Sequence, residues 1–92
     1  METQLSRLEL IYGSEKVASL ADKRVAVFGA GGVGGYIIEA LARSGIGAID
    51  IIDSDTVALS NLNRQIIAVR DTVGMLKTEA AKMRVMSIDP DC

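Results

Sequence analysis

The chain has no histidine, no tryptophan, one cysteine, one proline and only three aromatic residues among its 92 positions. Each scarcity excludes something. Without histidine, these residues cannot build a Ser-His or Cys-His pair for nucleophilic catalysis. One cysteine, Cys92, makes no intrachain disulfide and assembles no zinc quartet. With no imidazole to activate it, Cys92 reads as an ordinary residue after a helix rather than a catalytic thiol. With so few aromatics, the core falls to Val, Ile, Leu, Ala and Met. No apolar run reaches the roughly 18 residues of a membrane span, and no signal-peptide pattern opens the chain, so the cytoplasm is the expected location. Charge of neither sign dominates: 10 Lys+Arg against 12 Asp+Glu give a formal net charge of −2. That is not the basic footprint of a segment that grips nucleic acid unaided, although a nucleic-acid substrate could be held by residues elsewhere.

What the chain does have is a 49% hydrophobic content and nine glycines. Four of the glycines stand in Arg24-Val-Ala-Val-Phe28-Gly29-Ala-Gly31-Gly32-Val-Gly34. A β-branched apolar run feeds into G-x-G-x-x-G, and an amphipathic helical pattern follows. Strand, glycine turn and helix in that order turn a weak motif into a candidate phosphate site. Gly29 suits a tight turn, Gly31 lets backbone N–H groups approach a phosphate, and Gly34 lets the helix lie close to the strand. The helix N-terminus adds unpaired donors and partial positive charge, which places a phosphate near Gly31 and Gly32. A sharp turn with no ligand is the plainer alternative.

The spacing of apolar residues predicts an amphipathic helix over 2–12, carrying Leu5, Leu8, Ile11 and Tyr12 and ended by Gly13. Ser14 is expected to cap a second helix over 15–21. Strands are expected at 24–28 and 48–52. Between them a helix over 32–44 is expected to bury Val33, Ile37 and Leu41 as one stripe. Residues 54–74 read as irregular, with a short helical turn near 60–65. A last helix over 76–88 aligns Leu76, Ala80, Met83 and Ser87, with Val85 and Met86 beside them, and Pro90 closes it. The fold class is therefore α/β: a Rossmann-like βαβ nucleotide-binding unit with N-terminal helices, accessory over 1–22 and nucleotide-binding over 23–92. Two parallel strands leave two open edges and little core. The chain is accordingly expected to be part of a larger parallel-sheet domain; strands that join a partner's sheet are the other option.

Asp53 ends the second strand about 24 residues after Gly29, near the offset of an acid that hydrogen-bonds ribose hydroxyls. A plain turn residue in Asp53-Ser54-Asp55 is the competing reading. To this point an NAD- or FAD-binding module fits as well as an ATP site. Ser60-Asn61-Leu62-Asn63-Arg64-Gln65 and Lys77 shift the balance. An Arg and a Lys converging on the crevice suit a triphosphate, and they would stabilise charge developing at the α-phosphorus under carboxylate attack. On composition alone, both could equally be solvated surface side chains.

The glycine run, Ala42-Arg43-Ser44-Gly45-Ile46-Gly47, Asp53-Ser54-Asp55-Thr56-Val57, Ser60 through Gln65, Val73-Gly74, Lys77 and Glu79 together resemble the ubiquitin-activating-enzyme-like superfamily, in bacteria the ThiF/MoeB/HesA family. Arg7-Leu8-Glu9-Leu10-Ile11-Tyr12-Gly13, Asn61 through Ile66 and Ile88-Asp89-Pro90-Asp91-Cys92 are most similar to its tRNA threonylcarbamoyladenosine dehydratase branch. The resemblance implies a homodimeric enzyme that adenylates a carboxylate with ATP and Mg2+, here on a modified adenosine in tRNA. The alternative within the family is activation of a sulfur-carrier protein for molybdopterin or thiamine synthesis. It implies that Gly29, Gly31 and Gly32 meet the nucleotide, that Asp53 holds the ribose, and that Ser60, Asn61, Asn63, Arg64 and Lys77 line the phosphates. Arg64 and Lys77 would stabilise the developing charge, while Gln65 orients its neighbours. The family's magnesium-binding aspartate is expected beyond residue 92, and Asp55 is not promoted to replace it.

Overall fold

A computed structural model describes residues 2–92. Two parallel strands, β1 (Arg24–Phe28) and β2 (Ala48–Ile52), pair in register from Arg24 opposite Ala48 to Phe28 opposite Ile52. They are joined by helix α3 (Gly32–Arg43), and helix α4 (Lys77–Ile88) closes the unit. Ahead of β1 lie α1 (Ser6–Tyr12), α2 (Ser14–Ser19) and a 3₁₀ turn (Leu20–Asp22). Both strands and α4 fall where the hydrophobic pattern places them. Helix α1 begins later than its pattern suggests. Ser14 is the first residue of α2 rather than its cap: Gly13, at φ +85°, makes the break between the helices, and no side chain caps α2.

Alternation along the strands sets the layers. Val25, Val27, Ile49 and Ile51 join the core with Ile38, Ala42, Ala80, Ala81 and Val85 of the two long helices. Fully burying a side chain such as Ile38 contributes roughly 1.5–3 kcal/mol. Small residues carry the helix contacts: Ala42 and Ala81 are wholly buried, and so large side chains are not what brings α3 and α4 together.

The expected stripe of α3 is corrected by this packing. Val33 is 77% exposed and Ile37 45% exposed, while Gly35, Ile38, Glu39 and Ala42 face inward and only Leu41 of the expected three packs on the core. Gly35 lies against the Ala30 carbonyl and the Ile66 and Ile67 methyls, so the helix comes closest where it has least side chain. On α4 the buried line is Lys77, Ala80, Ala81 and Val85, and Leu76, Met83 and Met86 are exposed.

The stretch after β2 is more ordered than its polar composition implies. 3₁₀ turns span Leu59–Asn63 and Arg70–Thr72. Residues 55–57 run antiparallel to 74–77, through Val57 N–H to the Met75 carbonyl, Gly74 N–H to the Val57 carbonyl and Lys77 N–H to the Asp55 carbonyl. Among the described residues no helix is long and apolar enough to cross a membrane.

Candidate functional site

The glycine turn is built by backbone geometry. Gly29 has φ +92°, a conformation that penalises any Cβ, and its N–H reaches across to the Ile52 carbonyl at 2.7 Å. Gly34 has no room for a side chain, because a Cβ there would overlap the Gly29 carbonyl oxygen. Gly31 sits just before α3, whose first bond runs from Gly35 N–H to the Gly31 carbonyl at 2.9 Å. The amides of Gly32, Val33 and Gly34 precede that bond and have no partner in the helix. A Cβ at Gly32 would meet nothing within 4 Å. The turn therefore offers donors next to open space, as a phosphate site requires.

Asp53 locks the turn to the end of β2. One carboxylate oxygen accepts the Ala30 N–H at 2.8 Å, and the other accepts the Asp55 N–H at 2.8 Å. Ala30 N–H, then Asp55 N–H, hold the carboxyl below the usual aspartate range; burial opposes them and the Lys77 charge helps them. The turn-residue reading of Asp53 is the one its hydrogen bonds show. Asp53 is the turn residue of the Asp53–Asp55 bend, and each oxygen keeps a lone pair for a hydroxyl donor.

Lys77 is held by position rather than by a counter-ion. Its backbone is tied to Asp55, its side chain lies on the buried face of α4, and it is only 8% exposed. Among the described residues it forms no ion pair, and its ammonium acts on Asp53 through space. Arg64 stands on the other flank. Its Nη1 donates to the Ser60 carbonyl at 3.1 Å and to Asn63 Oδ1 at 2.9 Å. The exposed guanidinium lines one apolar groove with Gly32, Val33, Tyr36 and Ile37. Asn61 is buried and turned inward, its Oδ1 accepting the Ala58 N–H at 2.8 Å and its carbonyl accepting the Arg64 and Gln65 amides. Of the anticipated residues, Gly29, Gly31 and Gly32 form the turn, Asp53 bonds to it and Arg64 shares a groove with Gly32, while Lys77 is tied to Asp55 and reaches the turn only through its charge on Asp53. Ser60, Asn61 and Asn63 shape the 3₁₀ turn that carries Arg64.

The ThiF family profile matches residues 1–92. The chain belongs to the ThiF family. It is 47% identical over 89 residues to the tRNA threonylcarbamoyladenosine dehydratase of Bacillus subtilis, an alignment that takes in 97% of this chain and 35% of the relative. It is 43% identical over 79 residues to an adenylyltransferase and sulfurtransferase of Ogataea parapolymorpha, covering 86% of this chain and 20% of that one. The crystal structure of the E. coli tRNA N6-threonylcarbamoyladenosine dehydratase in complex with ATP superposes with a TM-score of 0.92 at 45% identity, over 97% of this chain and 37% of that chain. The chain thus spans about a third of the length of the dehydratases it matches.

Two buried polar residues of this ThiF-family chain stand out: Gln65, expected only to orient its neighbours, and Glu39, for which no role was expected. Gln65 lies buried beneath Gly31. Glu39 is a buried acid on α3 whose carboxylate takes Arg84 in a two-pronged bond at 2.8 and 2.9 Å and Arg43 at 2.8 Å. Its i,i+4 spacing to Arg43 is a signal the sequence carries. Cys92 is not poised for chemistry: burial, then the Asp89 charge, push its thiol upward.

Proposed function

We propose that this chain is the N-terminal portion of a single ATP-binding domain, and that the whole enzyme is a homodimeric, cytoplasmic tRNA threonylcarbamoyladenosine dehydratase. One observation carries the reading. The turn keeps free amides beside open space, Arg64 lines the groove at Gly32, and Lys77, which forms no ion pair among the described residues, acts on the Asp53 that bonds to the turn, in a chain whose relative with a similar backbone is solved in complex with ATP. A dinucleotide's two phosphates would need the turn; a triphosphate also needs the two cations.

In this reading the substrate carboxylate attacks the α-phosphorus. A phosphorus–oxygen bond forms, the bond to the bridging oxygen of the β-phosphate breaks, and pyrophosphate leaves with that electron pair. The Gly32 amide and Arg64 meet the charge that builds on the phosphoryl oxygens, and Lys77 neutralises the departing phosphates. Asp53 holds the ribose while anchoring the turn. The acyl adenylate then cyclises within the modified adenosine and releases AMP. Magnesium, where bound, would neutralise further charge on the phosphates, and it is ordinarily held by one or two carboxylates together with the phosphates themselves. The family resemblance puts its aspartate ligand after a later strand, and no step is routed through it.

Thermal shift tests the nucleotide: stabilisation by ATP is expected, and stabilisation by NADH but not ATP would overturn the reading in favour of a dinucleotide module. Arg64→Ala should weaken ATP binding about tenfold, the loss of one charge-assisted bond. Pyrophosphate exchange in the whole enzyme separates the substrates. Exchange driven by the modified tRNA supports the dehydratase, and exchange driven only by a small protein ending in Gly-Gly supports a sulfur-carrier activator.

A further inference from the structure

Gln65 is 8% exposed, and its Oε1 is buried without a hydrogen-bond partner among the described residues. Buried polar groups are nearly always paired, so each exception calls for a cause. Its surroundings supply one. A Cβ built on Gly31 would lie 3.3 Å from Gln65 Nε2, 3.5 Å from Cδ and 3.6 Å from Oε1. The amide therefore lies against a turn residue that brings no side chain of its own, and among the described residues no side chain outside the turn comes nearer to where that Cβ would be. Its backbone is pinned, N–H to the Asn61 carbonyl at 2.9 Å and carbonyl to the Ala68 N–H at 3.0 Å, so the side chain is aimed by the fold. Arg64 reaches the Gly32 side of the turn and its neighbour Gln65 lies on the Gly31 side, so consecutive residues straddle the phosphate position.

We infer that Gln65 is a nucleotide-binding residue, not a packing residue: its Nε2 donates to a phosphoryl oxygen held above Gly31, and the rotation that makes this bond takes Oε1 out of its unpartnered pocket. The inference rests on the ATP reading above. It explains why a glutamine stands where a Leu or Met of similar size would fill the space with no orphaned oxygen. A group that stays unsatisfied until a ligand arrives costs stability in the free protein and returns it on binding.

That trade gives the test. In Gln65→Met the free chain should melt at the same temperature as the wild type or higher, and its ATP affinity should fall about tenfold. Gln65→Glu should bind ATP more weakly still, because like charges meet. Methionine at 65 with ATP affinity within twofold of wild type overturns the inference and leaves the ATP reading intact. Loss of ATP binding by the wild-type chain itself overturns both. Should either variant fail to fold, the Gln65 side-chain NH₂ resonances of the wild type decide: they should shift on titration with ATP, and resonances that stay in place at saturation overturn the inference.

Discussion

Gly32 and Gly34 stand two residues apart in one turn under opposite demands. At Gly34 a methyl group collides with the Gly29 carbonyl, which is rigid backbone, so strand and helix must separate. Gly34→Ala is expected to cost about 2–4 kcal/mol in urea unfolding, the range of overpacking against something that cannot move. At Gly32 the space is open, and Ala is the better helix former by up to ~1 kcal/mol. Gly32→Ala should therefore fold at least as stably as the wild type, yet lose most of its thermal response to ATP, because the methyl fills the space a phosphate would take. Asp53 carries a different signature. Its folded pKa lies below the unfolded value of about 3.9, so its contribution is fully present above that value and is lost as pH falls through the folded one. Asp53→Ala leaves the buried Ala30 N–H without an acceptor. It should cost about 1–2 kcal/mol at pH 7, and the gap between variant and wild type should narrow as pH falls below the unfolded value.

Between elements, the same balance of small residues and one buried charge decides how α3 sits on α4. The helices meet through Ala42, Ala80 and Ala81, and Glu39 fixes their rotation by taking Arg84 from across the interface and Arg43 from its own helix. Arg84, burial opposing and Arg43 assisting, holds the Glu39 carboxyl low. Glu39→Gln keeps the shape and loses the charge. It should cost about 1–2 kcal/mol, less than a fully buried pair because Arg84 stays partly exposed. A Glu39/Arg84 double-mutant cycle by urea unfolding should show coupling at pH 7 that fades below about pH 4, since a group held low gives up its contribution as it protonates. This staple also marks where the sequence was legible. Both strands could be read because β-branched runs between glycines and charges have few other uses. The face of α3 could not, because its inward side carries Gly35, Glu39 and Ala42 while Val33 and Ile37 look outward, and hydrophobicity points the wrong way where helices pack through small residues. Lys77 was legible as a cation of the proposed site but not as a buried one. The antiparallel strip of 55–57 on 74–77 that buries it depends on backbone bonds that no side-chain pattern announces. Gln65 was legible only as a residue that orients its neighbours, since its contact is with the missing Cβ of a residue distant in sequence.

Across the whole molecule, surface is in excess. The accessible area is 6005 Å². A compact monomer of 9.7 kDa would expose about 5,100 Å² by the usual size scaling. The radius of gyration is 14.0 Å, where about 12.3 Å is expected of a compact domain of this length. The excess is apolar in places that matter. One face of the sheet lies under the helices, but the other presents Ala26, Phe28 and Ile52 uncovered, with Phe28 79% exposed, and parallel sheets are ordinarily covered on both faces. The Arg24–Asp50 pair on that same face is solvent-screened and does little to cover it. Exposed apolar area joined to unpaired strand edges drives association. The chain by itself should therefore sediment at more than its monomer mass as concentration rises through tens of micromolar. Phe28→Ser with Ile52→Thr should return it toward 9.7 kDa, while changing unfolding stability by no more than about 0.5 kcal/mol per site, because neither side chain is buried in the monomer. Should the double variant unfold well below the wild type, those side chains would already be packed within a single chain, and the open face would not be the surface that drives association.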